Sequence, residues 1–140
     1  MVSKSYRIGY NFQRRVVKHL SEKGFNCIVQ PKSAFPDIIA WKPFIDENGK
    51  TLAINTQTRI GDKSYQDIMV PFYVSLIECK VNKYLNKKEK DAAKQILEEG
   101  RCNSFFVAYP DKRKPEFEEF KLKKAKIERI EKVEAPFYVA

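Results

Sequence analysis

Two apolar runs of this chain carry charges at their ends. FPDIIAWKP, residues 35–43, sets Asp37 in front of an apolar stretch, and SLIECKVNK, residues 75–83, places Glu78 and Lys80 after one. In an extended strand, side chains two apart share a face, so Glu78 and Lys80 project together while Cys79 turns away with Ile77. If the DIIAW strand pairs near this one, Asp37 approaches Glu78, and two carboxylates that close repel unless a divalent cation lies between them. Oxygen ligands in a chain with a single histidine select Mg2+ or Mn2+ over zinc. Such a cation with a neighbouring ammonium binds a scissile phosphate, activates a water and stabilises developing charge, which is the chemistry of phosphodiester hydrolysis.

The same residue types recur where they mean less. Glu119 and Lys121 repeat the E-x-K spacing inside a charged stretch, where a solvated pair is the simple explanation. Glu78 and Lys80 instead end an apolar run, where charge is costly unless it serves a site. Asp67 is a rival to Asp37 because it lies nearer to Glu78 in the chain.

Elements must position these groups. Phe12, Val16, Val17 and Leu20 fall at helical spacing between Tyr10 and Lys23, with Gly24 as a stop. Gln13 shares their face, which is directed at the sheet. FNCIVQ reads as a strand, PKSAFP interrupts it, and DIIAW resumes as a second; ENGK at 47–50 reads as a turn into a third strand, TLAINTQTR. RIGDKSYQD reads as a loop. MVPFYVSLIEC, 69–79, is the most apolar stretch and predicts a central strand covered on both faces. Asn86 and Glu89 form a capping-box pattern before a second helix ending at Gly100, and SFFVAY is a further strand. The tail from Lys112 to Ala140 mixes periods and is left unassigned. The expectation is one domain over residues 1–140, an α/β or α+β fold with a central mixed sheet flanked by helices. An inserted hairpin or loop is expected at about 43–70.

At these residues the sequence resembles the PD-(D/E)XK, or restriction-endonuclease-like, nucleases, and within them the archaeal Holliday junction resolvases. Arg7, Gly9, Gly24-Phe25, Ser33, Pro36-Asp37 and Ile77-Glu78-Cys79-Lys80 follow the family's order; Gln13 stands where the family has Glu. Asp37 and Glu78 are 41 residues apart, a longer gap than resolvases of this type have. The resemblance implies a restriction-endonuclease-like fold and a Mg2+- or Mn2+-dependent endonuclease acting on branched DNA as a homodimer. Asp37, Glu78 and the Cys79 carbonyl would be metal ligands, with Lys80 as electrostatic stabiliser or water-positioning group. Ser33 would be a phosphate-site helper and Gln13 an altered accessory position. Two alternatives stay open: a nuclease of the same fold acting on duplex or single-stranded ends, and a catalytically weakened DNA-binding protein.

Charge supports a nucleic-acid partner. With 27 Lys plus Arg against 18 Asp plus Glu the net charge is +9, which favours an anionic partner. Lys4, Arg7, Arg14, Arg15 and Lys18 occur before any acid, and Lys83, Lys87, Lys88 and Lys90 follow the Glu78–Lys80 strand. Both clusters flank the proposed metal and suit phosphate contacts. Tyr6, Tyr10 and Tyr84 lie among them and offer rings for stacking on unpaired bases or for the core. No run of about 18 apolar residues is present and the first residues lack an apolar signal core, so the expectation is a soluble, intracellular, cytoplasmic chain without a membrane partner. Cys27, Cys79 and Cys102 are odd in number and far apart, and are expected as buried thiols.

Overall fold

In the computed structural model, which describes residues 4–82, 84–112, 114–123 and 126–133, two helices flank a six-stranded sheet and a two-stranded ribbon stands apart from it. The fold is α+β with a mixed central sheet. The elements in chain order are α1 (Lys4–Glu22), β1 (Asn26–Val29), β2 (Ile38–Pro43), β3 (Ile54–Ile60), β4 (Lys63–Met69), β5 (Phe72–Cys79), α2 (Lys87–Glu98), β6 (Ser104–Tyr109), β7 (Glu116–Lys123) and β8 (Lys126–Val133). The main sheet runs β1-β2-β5-β6-β7-β8. Every pair in it is antiparallel except β5 with β6, whose parallel pairing is bridged by α2, the crossover that parallel neighbours require.

The apolar run ending at Cys79 is the centre of the sheet because both its faces are covered. On one side Ile77 joins Phe12, Val16 and Leu20 of α1, with Ile38, Phe106 and Phe117 around them. On the other Leu76 joins Ala93 of α2 together with Phe105, Val107 and Phe120. The alternation along β5 and β6 therefore feeds two cores, one per helix. Burying such side chains is worth about 1.5–3 kcal/mol each, which explains why the strand tolerates almost no polar residue before its last turn of chain.

Both helices stop where the glycines stand. Gly24 and Gly100 adopt positive φ of 92° and 67°. After each, the next amide reaches back: Phe25 N–H donates to Leu20 O and Arg101 N–H to Ile96 O, the Schellman closure that left-handed backbone permits. α1 begins six residues before the expected Tyr10, at Lys4, because exposed residues with no apolar period continue the helix outward.

The expected loop RIGDKSYQD is not a loop. Its residues end β3, turn at Gly61–Asp62 and form β4, paired from Ile54↔Met69 to Ile60↔Lys63. Nearly every side chain of the ribbon is exposed, so no buried face stamps a period on the sequence. The predicted 69–79 strand is also interrupted at Val70–Pro71, where β4 ends and β5 begins; a proline has no N–H for the ladder. ENGK turns a short excursion closed by the Ile45↔Thr51 bridge, rather than leading straight into β3. The unassigned tail supplies β7 and β8, and Phe117 of β7 is fully buried in the α1-side core.

The three cysteines are free and partly buried. Burial pushes the Cys27 and Cys102 thiols up to about 11 and raises Cys79 as well. Among the described residues no helix is long and apolar enough to cross a membrane.

Candidate active site

Asp37 and Glu78 are brought together by the register of β2 on β5. Ile38 pairs with Ile77, so the next residue outward on each strand, Asp37 and Glu78, meet at the end of the ladder. Each carboxylate accepts an amide from the other strand. Asp37 N–H donates to Glu78 Oε1 at 3.1 Å, and Cys79 N–H donates to Asp37 Oδ2 at 2.9 Å. These crossed bonds fix both acids with little freedom. Pro36 is buried beside them, and its carbonyl accepts Gln30 Nε2 at 2.6 Å, which ties the segment before Asp37 to the end of β1.

Lys80 lies one step beyond. Its own N–H extends the parallel ladder to Ala108 O at 2.9 Å. Its Nζ lies 3.8 Å from Glu78 Oε2 and 2.6 Å from Glu89 Oε2. Glu89 also closes the α2 capping box: its Oε1 accepts Asn86 N–H at 3.0 Å while Asn86 Oδ1 accepts Glu89 N–H at 2.9 Å. Glu89 is therefore the residue sequence reasoning missed. It was visible only as a cap, although a glutamate in the helix that follows E-x-K was the available signal for a partner to the lysine.

The electrostatics follow from this crowding. Glu78 is only 6% exposed, and burial first, then the Asp37 charge, pushes its carboxyl up to about 9; Lys80 opposes the rise. Burial alone would raise Glu89 too. Hydrogen bonds from Lys80 and from the Asn86 N–H outweigh it and hold Glu89 below the usual carboxylate range. A buried acid driven to keep its proton by a second acid is a pair that a cation would relieve.

The donor set fits the divalent metal that the resemblance implies. Asp37 and Glu78 would hold it, with the Cys79 carbonyl as the further oxygen. Among the described residues no group of three or more His, Cys, Asp or Glu side chains is arranged for a metal. The remaining positions would fall to backbone, water or substrate, as Mg2+ prefers. Asp67 is exposed in the ribbon, where its Oδ1 accepts the Ile68 N–H at 2.8 Å; it makes no part of the Asp37–Glu78 pair.

The other candidates fall into three places. Gln13 is half-buried and, with Asp37, lines a hollow of about 350 Å3 between α1 and the chain leading into β2. Ser33 is exposed in the turn after β1 and takes no part in the bonds that fix the two carboxylates. Lys4, Arg7, Arg14, Arg15 and Lys18 are exposed along α1, and Arg15 donates to Asp111 O at 3.2 Å. Lys87 and Lys88 are exposed in the first turn of α2, and Lys90 in its second, next to Glu89. Lys88 and Lys90 thus flank Glu89 on α2, and Arg14 stands over Tyr10 of the hollow that Asp37 lines, whereas Arg15 and Lys18 line a separate hollow with His19 and Lys114. Lys83 lies outside the described residues.

The arrangement offers two acids, an ammonium held by a third acid, and exposed lysines beside that third acid on α2. No protein-family model matches the chain, and comparison with curated proteins finds no match.

Proposed function

We propose that this protein is a metal-dependent endodeoxyribonuclease, with branched DNA of the Holliday-junction kind as its substrate and a homodimer as its working form. The observation that carries the reading is the crossed pairing of Asp37 and Glu78 beside Lys80, the three groups that the PD-(D/E)XK resemblance nominates. Mg2+ or Mn2+ bound there supplies Lewis acidity toward a phosphoryl oxygen and an acidified water. The chain's own residues do the rest. Asp37 and Glu78 provide the negative charge that attracts the cation, and their backbone bonds hold it to one position. Lys80 adds positive charge where the pentacoordinate phosphorus of the transition state gathers negative charge. The basic residues of α1 and of α2 grip phosphates on either side and carry affinity without reading bases.

One observation favours a second reading, a DNA-binding protein with weakened catalysis. Gln13 lines the hollow beside Asp37 with a neutral amide where a further carboxylate would strengthen cation binding.

A cleavage panel of four-way junction, flap, blunt duplex and single-stranded DNA, with Mg2+, Mn2+ or chelator, tests both. The nuclease reading expects metal-dependent cleavage that Asp37→Ala, Glu78→Ala and Lys80→Ala each reduce by at least about a hundredfold. DNA affinity in these variants stays within a few-fold and falls steeply with salt, as counterion release requires. Binding without cleavage under every metal would leave the weakened reading in place.

A further inference from the structure

We infer that the hollow between α1 and the segment leading to Asp37 is a subsite for one unpaired nucleobase, holding a nucleotide of a single strand, a flap or a branch point next to the carboxylates. The inference rests on the phosphodiester-cleaving reading of Asp37 and Glu78 and names the feature of the substrate that the site would recognise.

The hollow is lined by Tyr6, Tyr10, Gln13, Gln30, Lys32 and Asp37. Its volume of about 350 Å3 lies at the small end of the range for small-ligand pockets. Tyr6 and Tyr10, one helical turn apart, hold their rings within 9° of parallel with centroids 6.4 Å apart. Their exposures of 43% and 48% leave aromatic surface in contact with water. A cation lies over each ring: Lys32 Nζ is 4.9 Å from the Tyr6 centroid and the Arg14 guanidinium carbon 5.8 Å from that of Tyr10. Aromatic faces interleaved with cations are what a base and its phosphate need together, the ring for stacking and the cation for charge.

Gly9 is an independent sign that this space is kept open. It sits inside α1, where glycine is less favourable than alanine. No backbone or side chain approaches to demand it, since a Cβ built there meets nothing within 4 Å. Packing therefore gives no reason for the glycine. Its missing side chain leaves clear the strip of helix between Tyr6, Tyr10 and Gln13, the wall of the hollow itself.

A paired base in a duplex has both faces covered by its neighbours and cannot stack on this wall. A base at a strand end, flap or branch point can. The amides of Gln13 and Gln30 supply donors and acceptors for its edge. With the base seated there, its backbone passes Asp37.

The test measures metal-free binding by fluorescence anisotropy in EDTA, using a short oligothymidylate, a short oligouridylate and a blunt mixed-sequence duplex. Tyr6→Ala combined with Tyr10→Ala is expected to weaken oligonucleotide binding about tenfold or more and duplex binding by less than about twofold. The matching Phe substitutions retain binding, because the ring is kept. Gly9→Leu is expected to raise the melting temperature and weaken oligonucleotide binding together, a pairing of signs that a purely structural glycine would not give. A tyrosine dependence on either oligonucleotide supports the subsite, and the tighter binder identifies DNA or RNA as its source. Equal losses on oligonucleotide and duplex, or none on either, overturn it. Cleavage in Mg2+ is followed in parallel. No tyrosine effect beside intact Asp37-dependent cleavage sinks the subsite alone, whereas a tyrosine effect without Asp37-dependent cleavage sinks the nuclease reading alone.

Discussion

Lys80 and Glu89 are joined by a 2.6 Å hydrogen bond from Nζ to Oε2 across the gap between the end of β5 and the first turn of α2. The other oxygen of the same carboxylate accepts the Asn86 amide, so one side chain caps a helix and aims an ammonium. Lys80 also lies 3.8 Å from Glu78, but the shorter bond to Glu89 determines where its charge rests.

Glu89→Gln is expected to separate these duties. Its amide oxygen can still accept the Asn86 N–H, so stability drops by no more than about 1 kcal/mol. The anionic partner of Lys80 is lost, and cleavage should fall about tenfold in kcat with DNA affinity unchanged or slightly tighter. An unchanged kcat beside that small loss of stability would show Glu89 to be only a cap.

The raised Glu78 carboxyl makes stability depend on pH in a definite direction. Its folded value of about 9 lies above the ordinary value of 4.5, so the native state holds the proton that the unfolded chain releases. The contribution is full below about 4.5 and is lost as pH rises through about 9. Without divalent metal the melting temperature should therefore fall by several degrees from about pH 5 to pH 9, and Glu78→Gln should flatten that slope. Mg2+ competes with the proton, so its stabilising effect should be larger at about pH 8 than at about pH 6. Thermal melts with and without Mg2+ at both values decide this; a metal effect independent of pH would place the cation elsewhere.

Gln13 offers a gain rather than a loss. Gln13→Glu adds one negative charge to the hollow that Asp37 lines, and should lower the Mg2+ concentration for half-maximal cleavage. Gln13→Ala should cost less than Asp37→Ala because the two principal acids remain. An unchanged metal midpoint together with a lowered melting temperature would mean that the new carboxylate is merely half-buried without a partner.

The β3–β4 ribbon should be dispensable for chemistry. It joins the main sheet at the Pro43↔Phe72 end of the β2–β5 ladder, about 20 Å along the strands from Asp37. Replacing residues 53–70 with a short glycine–serine linker keeps Phe44, which stacks edge-on against Tyr73, and should leave cleavage of a four-way junction within about threefold. A loss of junction cleavage with duplex binding intact would assign the ribbon a role in the substrate.

How much of this was legible from sequence depended on burial. Asp37, Glu78 and Lys80 could be read because each stands against an apolar run, where a charge is conspicuous; their meeting could be anticipated because one strand register decides it. The same contrast revealed β5 as the central strand and Gly24 and Gly100 as helix ends. Of the ribbon only β3 could be read, as the strand TLAINTQTR; β4 could not, since Tyr65, Ile68 and Met69 are all exposed and no face is hidden to impose an alternation. β7 escaped for a different reason: Phe117 and Phe120 are buried on opposite faces among glutamates and lysines, and Glu118, itself buried, breaks the expected pattern. Glu89 carries only a local capping signal in the sequence, because the bond from Lys80 crosses between elements.

The pairing of Pro43 with Phe72 has a kinetic consequence as well. β2 and β5 carry the two acids, yet the segment 44–71 must be gathered before they can zip. Closing so long a loop costs about 2 kcal/mol more than a tight turn would. A ribbon whose strands meet across a two-residue turn can form in microseconds and draw those ends together before the ladder begins. Refolding of the linker-substituted chain, followed by stopped-flow fluorescence, reads the balance directly: a faster rate than the intact chain means that the ribbon is a detour on the way to the site, and a slower one that it is the splint around which the acid-bearing strands assemble.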